Sequence, residues 1–192
     1  MCLRATAATP SDRLLAELNQ HGGNVNAKNE TGWPLIIGAA KRGELQDVKY
    51  LVEHDADIEA RDRGCDTVLM SAARHEKLEI TKYLVERGAD VKAGGNDGWT
   101  ELHCASVHAR VDLAKVLVAA GADIDAQDNY DDSPLHRAAY YKKPDMVKYL
   151  VLQGADVNLT NNEGKTPGEM TDDDAVRIAF DEAITSASLL PK

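Results

Sequence analysis

The sequence predicts an all-α solenoid, a stack of two-helix units of fixed length with four full units between two degenerate caps. Three markers predict it, and all three are matters of spacing. Lys-Tyr-Leu-Val occurs at 49–52, 82–85 and 148–151, and Lys-Val-Leu-Val at 115–118, so each step from 49 to 82 to 115 to 148 is 33 residues. Asp55-Ala56-Asp57, Gly88-Ala89-Asp90, Gly121-Ala122-Asp123 and Gly154-Ala155-Asp156 keep the same step, and one step earlier lies Gly22-Gly23-Asn24. The third marker runs through Pro34-Leu35-Ile36-Ile37, Thr67-Val68-Leu69-Met70, Thr100-Glu101-Leu102-His103, Ser133-Pro134-Leu135-His136 and Thr166-Pro167-Gly168-Glu169. Three markers in one register, without an insertion, identify stacked copies of one supersecondary unit.

Each unit opens with a helix. Thr67, Thr100, Ser133 and Thr166 stand where a side-chain oxygen caps free backbone N–H groups. Pro134 and Pro167 follow at the first helical position, where a missing N–H costs nothing. Small pairs come next, Ala39-Ala40, Ala72-Ala73, Ala105-Ser106 and Ala138-Ala139, and predict close helix packing. The second helix carries apolar residues at helical spacing, Leu45, Val48, Leu51 and Val52, then Leu78, Ile80, Leu84 and Val85. It closes at the Gly of Gly-Ala-Asp, which accepts a left-handed backbone. A polar stretch such as Asp128-Asn129-Tyr130-Asp131-Asp132 leads into the next unit.

Composition sets the broad class. The 192 residues are 43% hydrophobic but only 5% aromatic, so the core is built from Leu, Val, Ile and Ala. The formal charge is −10, from 32 acids and 22 bases, which argues against a nucleic-acid partner. Cys2, Cys65 and Cys104 are an odd number at unrelated spacings, so a reducing, intracellular compartment (cytoplasmic or nuclear) is expected. Membrane insertion is not expected, because no apolar run approaches the roughly 18 residues of a span. The first residues lack the apolar stretch of a signal peptide.

The segments SPLHRAA (133–139), TELHCAS (100–106), KYLVERGADV (82–91) and KYLVLQGADVN (148–158) resemble the ankyrin repeat. The resemblance covers essentially the whole chain. It implies helix–turn–helix units followed by β-hairpin-like fingers, in a curved solenoid that works as one continuous array. The expected division is an N-terminal cap over 1–27, full repeats at 28–60, 61–93, 94–126 and 127–159, a C-terminal cap over 160–187 and a frayed tail over 188–192. The first unit departs from the pattern, with Met1 at the capping slot and one amphipathic helix, SDRLLAELNQ (11–20). Asp55 replaces a loop Gly and Cys65 replaces a finger Gly. After Thr171 the register shifts, and Val176, Ile178, Ala179, Phe180 and Ile184 predict a displaced helix face.

Catalytic and metal-binding patterns are weak. His103-Cys104 with His108 is the nearest approach to a ligand cluster, and a metal-binding or enzymatic protein using these three residues is the rival reading. His103 and His136 share one repeat slot, which in the resembled family holds a His that hydrogen-bonds between units. No phosphate loop, nucleophile elbow or zinc-protease motif occurs. The acid run Asp123, Asp125, Asp128, Asp131, Asp132 lacks the Gly and terminal Glu of a calcium loop. No cofactor and no metal are expected. The Lys49, Lys82, Lys115, Lys148 column reads as a solvated face, with Lys49 and Lys82 each four residues before an acid, Glu53 or Glu86.

Function therefore falls on residues that do not repeat. In the resembled family the variable slots lie on the fingers and the inner ends of the first helices and line a concave face. Those slots hold Trp33, Lys41, Arg42, Arg63, Asp66, Arg74 and His75, then Trp99, His108, Tyr130, Asp132, Tyr140 and Tyr141. Both tryptophans fall in one slot expected to face solvent, and Trp, Tyr and Arg dominate binding hot spots. Bases gather in the first half of this set, acids and tyrosines in the second. The expected function is non-catalytic recognition of an unidentified protein or peptide by a monomeric scaffold. The alternative is a regulatory part of a larger protein. The resemblance also implies an asparaginyl hydroxylation site at Asn158, with Asn26 a poorer match.

Overall fold

The computed structural model describes residues 8–189. Residues 1–7 and 190–192, which hold Cys2, the start of the expected N-terminal cap and the end of the expected frayed tail, lie outside the described residues. The chain divides into two compact units, one up to Asp90 and one from Val91. All named elements among the described residues are helical, as the repeat pattern predicts.

The first unit begins with α1 (Asp12–Gln20) and continues with α2 (Leu35–Arg42), α3 (Leu45–Glu53), α4 (Val68–Arg74) and α5 (Leu78–Glu86). First helices stack on first helices, α2 on α4, and second helices on second helices, α3 on α5. Leu35, Ile37, Ala39, Ala40, Leu51, Val68, Ala72 and Leu84 are fully enclosed between these layers. The alanine pairs let the first helices approach, since a larger side chain there would have no space. Thr67 caps α4, its Oγ1 accepting from the Met70 N–H at 3.1 Å. Pro34 occupies the equivalent slot of α2 and caps nothing.

Asp47 is a departure that the sequence pattern did not flag. Its slot holds Ile80, Leu113 and Met146 in later repeats, yet Asp47 is 1% exposed. Its two carboxylate oxygens accept from the Ser11 N–H and the Ser11 hydroxyl, both at 2.6 Å. Ser11 in turn caps α1 by accepting from the Leu14 N–H. A buried acid is thus hydrogen-bonded through both oxygens and fastens α1 to α3.

The second unit contains α6 (Glu101–Val107), α7 (Val111–Ala119), α8 (Pro134–Tyr140) and α9 (Pro144–Leu152), then a 3₁₀ turn at Pro167–Met170 and α10 (Asp174–Ser188). The same layering recurs, α6 on α8 and α7 on α9, while the long α10 packs against α9. The 3₁₀ turn stands in place of a first helix, which is the physical form of the register shift. The predicted α10 face needs correction: Val176, Ala179, Phe180 and Ala183 are buried, but Ile178 and Ile184 are exposed. The helix also runs to Ser188, so residue 188 itself is ordered helix.

Besides the finger slot of Gly32, Cys65, Gly98, Asp131 and Gly164, which is left-handed throughout, two further backbone slots per repeat are left-handed whatever residue fills them. One holds Gly22, Asp55, Gly88, Gly121 and Gly154, just past the second helix, and Asp55 adopts φ 64°. The other joins the two helices and holds Gly43, Glu76, Ala109 and Lys142, with φ of 61°, 55° and 56° at the last three. The first was predicted; the second was hidden because three of its occupants carry side chains.

Candidate functional site

The fingers are built by one recurring device. In each, the N–H of the first residue donates to the carbonyl four residues on, at 2.8 Å for Asn29–Trp33 and 3.0 Å for Asp62–Asp66, Gly95–Trp99, Asp128–Asp132 and Asn161–Lys165. Asn29, Asp62, Asp128 and Asn161 add a second tie: Oδ1 accepts from backbone N–H groups two and four residues on. Gly95 alone has no side chain with which to do this.

Within the first unit, three of the four cationic residues expected to meet a partner, Lys41, Arg42 and Arg74, are already paired. Lys41 Nζ lies 2.8 Å from Asp62 Oδ2 and 3.8 Å from the centre of the Trp33 ring. Burial would push the Asp62 carboxyl up, but Lys41 and the N–H groups of Gly64 and Asp66 hold it below the usual value. Arg42 Nε donates to Glu44 at 2.7 Å, and its Nη2 lies 4.0 Å from Glu17. Arg74 pairs with Asp66 at 3.2 Å. His75 is exposed at the end of α4, its Nδ1 2.9 Å from the Ser71 carbonyl. Arg63 is exposed and its guanidinium lies over Gly32, where a Cβ would sit 2.6 Å from Nη2. An open cleft of about 410 Å³ lies beside α1, lined by Arg13, Glu17, Asn29, Thr31, Trp33 and Arg42 among others.

The second unit holds a denser arrangement centred on Arg137, which sequence reasoning missed. Arg137 Nε donates to Asp128 at 2.8 Å, and Nη2 lies 3.3 Å from Asp132. Asn161 donates its Nδ2 to Asp132 at 2.8 Å. The guanidinium sits 5.1 Å from the Trp99 ring centre and 5.5 Å from that of Tyr130. Asp128 and Asp132 are each 4% exposed, so Asp132 is a structural residue of this network and not a displayed partner contact. The signal available in the sequence was the Asp128, Asp132, Arg137 spacing, whose two acids bracket the finger while the base lies one turn into the following helix.

The fingers of this unit are also tied to one another. Asn129 N–H donates to the Asp97 carbonyl, Asn129 Nδ2 to the Asn96 carbonyl and Asn162 N–H to the Tyr130 carbonyl, each at 3.1 Å. Gly98 permits this approach, since a Cβ there would lie 2.8 Å from Asn129 Oδ1 and 3.0 Å from its backbone N. The row fixes the backbone that carries Tyr130.

Both tryptophans are half-buried, so the slot expected to face solvent is partly covered. Trp33 lies under Lys41, and Trp99 lies under Arg137 with His103 at 6.2 Å. The exposed aromatics are instead tyrosines of a single repeat, Tyr130 at 59%, Tyr140 at 56% and Tyr141 at 42%. Tyr140 and Tyr141 meet edge to face, 5.1 Å between ring centres. His108 is exposed at the end of α6. Asn158 is exposed, and its N–H donates to Asp156 Oδ1 at 2.8 Å. Asn26 Oδ1 accepts from the Asp57 N–H at 2.8 Å.

His103 has no lone pair for a metal. Its Nδ1 accepts from the Thr100 N–H at 3.1 Å and its Nε2 donates to the Asp132 carbonyl at 3.0 Å, in the next repeat. Burial lowers the His103 pKa further and keeps the ring neutral. His136 repeats the pattern with the Ser133 N–H and the Lys165 carbonyl. Among the described residues, no group of three or more His, Cys, Asp and Glu side chains is placed to hold a metal ion. The Lys column also differs from expectation. Lys82 and Lys115 pair with acids three residues earlier, Glu79 and Asp112, while Lys49 lies over the Tyr83 ring.

The repeated units have counterparts among known protein families. A family model described as ankyrin repeats in three copies matches residues 5–94. A second, described as ankyrin repeats in many copies, matches residues 102–151 and 135–167. No curated protein matches the chain. The two models account for the repeats of both units, and the chain belongs to the ankyrin repeat family.

Proposed function

We propose that the chain is a non-catalytic recognition module that binds a protein or peptide through the finger and first helix of the 127–159 repeat. Ankyrin repeats are in general protein–protein interaction modules. The observation that supports this face is the exposure of Tyr130, Tyr140 and Tyr141 on one repeat. Elsewhere, exposed large apolar side chains among the described residues are aliphatic and on α1, on α10 or just past it. Large, stiff aromatic rings lose little entropy on binding and recur at interface hot spots. The supporting network of Asp128, Asp132, Arg137 and Asn161 fixes the repeat before a partner arrives, which lowers the cost of association.

In the first unit, Arg63 and His75 are the residues of the predicted set left displayed, and they are proposed as secondary contacts. Trp33, Lys41, Arg42, Asp66 and Arg74 serve mainly to shape that unit's fingers. No helix among the described residues is long and apolar enough to cross a membrane. Asn158 is proposed as an acceptor for asparaginyl hydroxylation, checked by intact mass for one added oxygen after enzyme treatment.

Affinity capture with quantitative mass spectrometry tests the main proposal. Wild type is compared with a Tyr130→Ala/Tyr140→Ala/Tyr141→Ala variant of matched melting temperature. Loss of specific proteins from the variant is expected. Equal capture by both proteins would remove the tyrosine face from the account.

A further inference from the structure

We infer that the tyrosine face takes an extended segment carrying arginine or lysine, with a cation laid on the exposed rings; this rests on the recognition role proposed above. Three observations point to a cation. The first is the chemistry of the rings. An aromatic face attracts a cation through its quadrupole, most strongly where water is partly excluded. The repeat already does this internally, since the Arg137 guanidinium lies within 5.5 Å of the ring centres of both Trp99 and Tyr130. Tyr130 is nevertheless 59% exposed, so most of its surface remains open to a second group.

The second observation is the charge of the fingertip row. Asp97, Asp131 and Glu163 are exposed on three successive fingers, on either side of Tyr130. Lys165 pairs with Glu163 at 2.7 Å. Asp97 and Asp131 meet no cation among the described residues. Arg137 does not reverse the sign, because Asp128 and Asp132 both face it and the trio carries a net negative charge. On the far side of Tyr140 and Tyr141, Lys142 is drawn to Asp172 at 3.0 Å.

The third is the uneven distribution of charge along the chain. Residues 91–192 hold 17 acids and 10 bases, a formal −7, whereas residues 1–90 hold 15 acids and 12 bases, a formal −3. The unit that displays the tyrosines is therefore the more acidic one. Its field draws basic segments toward it and disfavours acidic ones. An acidic peptide would meet both the repulsion and a ring face of the wrong sign.

Panning a random peptide library against the full chain and against the Tyr130→Ala/Tyr140→Ala/Tyr141→Ala variant tests this. A second variant, Tyr130→Leu/Tyr140→Leu/Tyr141→Leu, keeps apolar area and removes the rings. The expected result is a set of Arg- or Lys-rich peptides whose affinity falls by about tenfold or more in both variants. That affinity also weakens as salt is raised. Peptides that depend on the tyrosines but are neutral or acidic would overturn the cation inference and leave the recognition role standing. Basic peptides retained in full by the Leu variant would overturn the ring–cation contact in the same way. Selection that ignores the tyrosines altogether would overturn both.

Discussion

Gly95 offers the cleanest test of how the fingers are held. In four of the five fingers, the residue at this slot ties two backbone N–H groups with one side-chain oxygen, at 2.8 to 3.2 Å. The Gly95 finger has the same backbone, with Gly95 N–H to Trp99 O and Gly98 N–H to Gly95 O both at 3.0 Å. Gly95→Asn should therefore place Oδ1 against the N–H groups of Asp97 and Trp99 without moving the chain. Restricting the unfolded chain contributes about 0.4–1 kcal/mol. Two further hydrogen bonds contribute about 0.5–1.5 kcal/mol each, at the low end because the finger is half-solvated, and ordering the Asn side chain offsets part of that. The net is about 1–2 kcal/mol, or a rise in melting temperature of about 2–8 °C for a chain of this size. Urea denaturation followed by circular dichroism reads the same quantity as a shift in midpoint. The reciprocal change, Asn29→Gly, should lose a similar amount. An unchanged or lowered midpoint for Gly95→Asn, alongside a neutral Asn29→Gly, would show that these oxygens do not hold the fingers.

Three further outcomes follow from other parts of the structure. Asp55→Gly should stabilise by up to about 1 kcal/mol, because Asp55 is left-handed and exposed and glycine adopts that backbone at lower cost; a thermal melt with a lowered midpoint contradicts this. Asp47→Ala should free the Ser11 N–H and hydroxyl, cost about 2–3 kcal/mol and speed amide exchange in α1 ahead of α4, as read by hydrogen-exchange mass spectrometry. Burial holds the His103 pKa below its ordinary value of 6.5, so between the two values the unfolded chain binds the extra proton. Stability should then fall as pH drops below about 6.5, and His103→Gln, though less stable at neutral pH, should show a shallower fall in pH-dependent melts.

The fold was legible because the repeat imposes one register on several independent features. Capping Thr67 and Ser133, the alanine pairs and the loop glycines each report the same 33-residue step. Where a slot does two jobs, legibility ended. Asp47 occupies an apolar slot because it must fasten α1, and nothing local to 47 announces a partner at Ser11. Glu76, Ala109 and Lys142 hide a left-handed slot because the chain tolerates the strain at a turn fixed by the helices on either side.

The candidate site was legible by position but not by state. Its slots were placed correctly on fingers and first helices, since those positions follow from register alone. Whether a charged residue in such a slot is displayed depends on its neighbours in the same and the next repeat. Lys41 finds Asp62, Arg74 finds Asp66 and Asp132 finds Arg137 and Asn161, so much of the apparent polarity is neutralised internally. Tyr130, Tyr140 and Tyr141 have no such partner for their rings' outer surfaces and stay exposed.

Hydroxyl-radical footprinting of the chain with a captured partner tests the recognition face most directly. Side chains that bury on binding lose reactivity, and tyrosine is readily read. Strong protection of Tyr130, Tyr140 and Tyr141 is expected, with little change at Tyr50 or Tyr149 on the second helices. Protection confined to Tyr149 and the α9–α10 surface, with the three tyrosines as reactive as in the free chain, would contradict it.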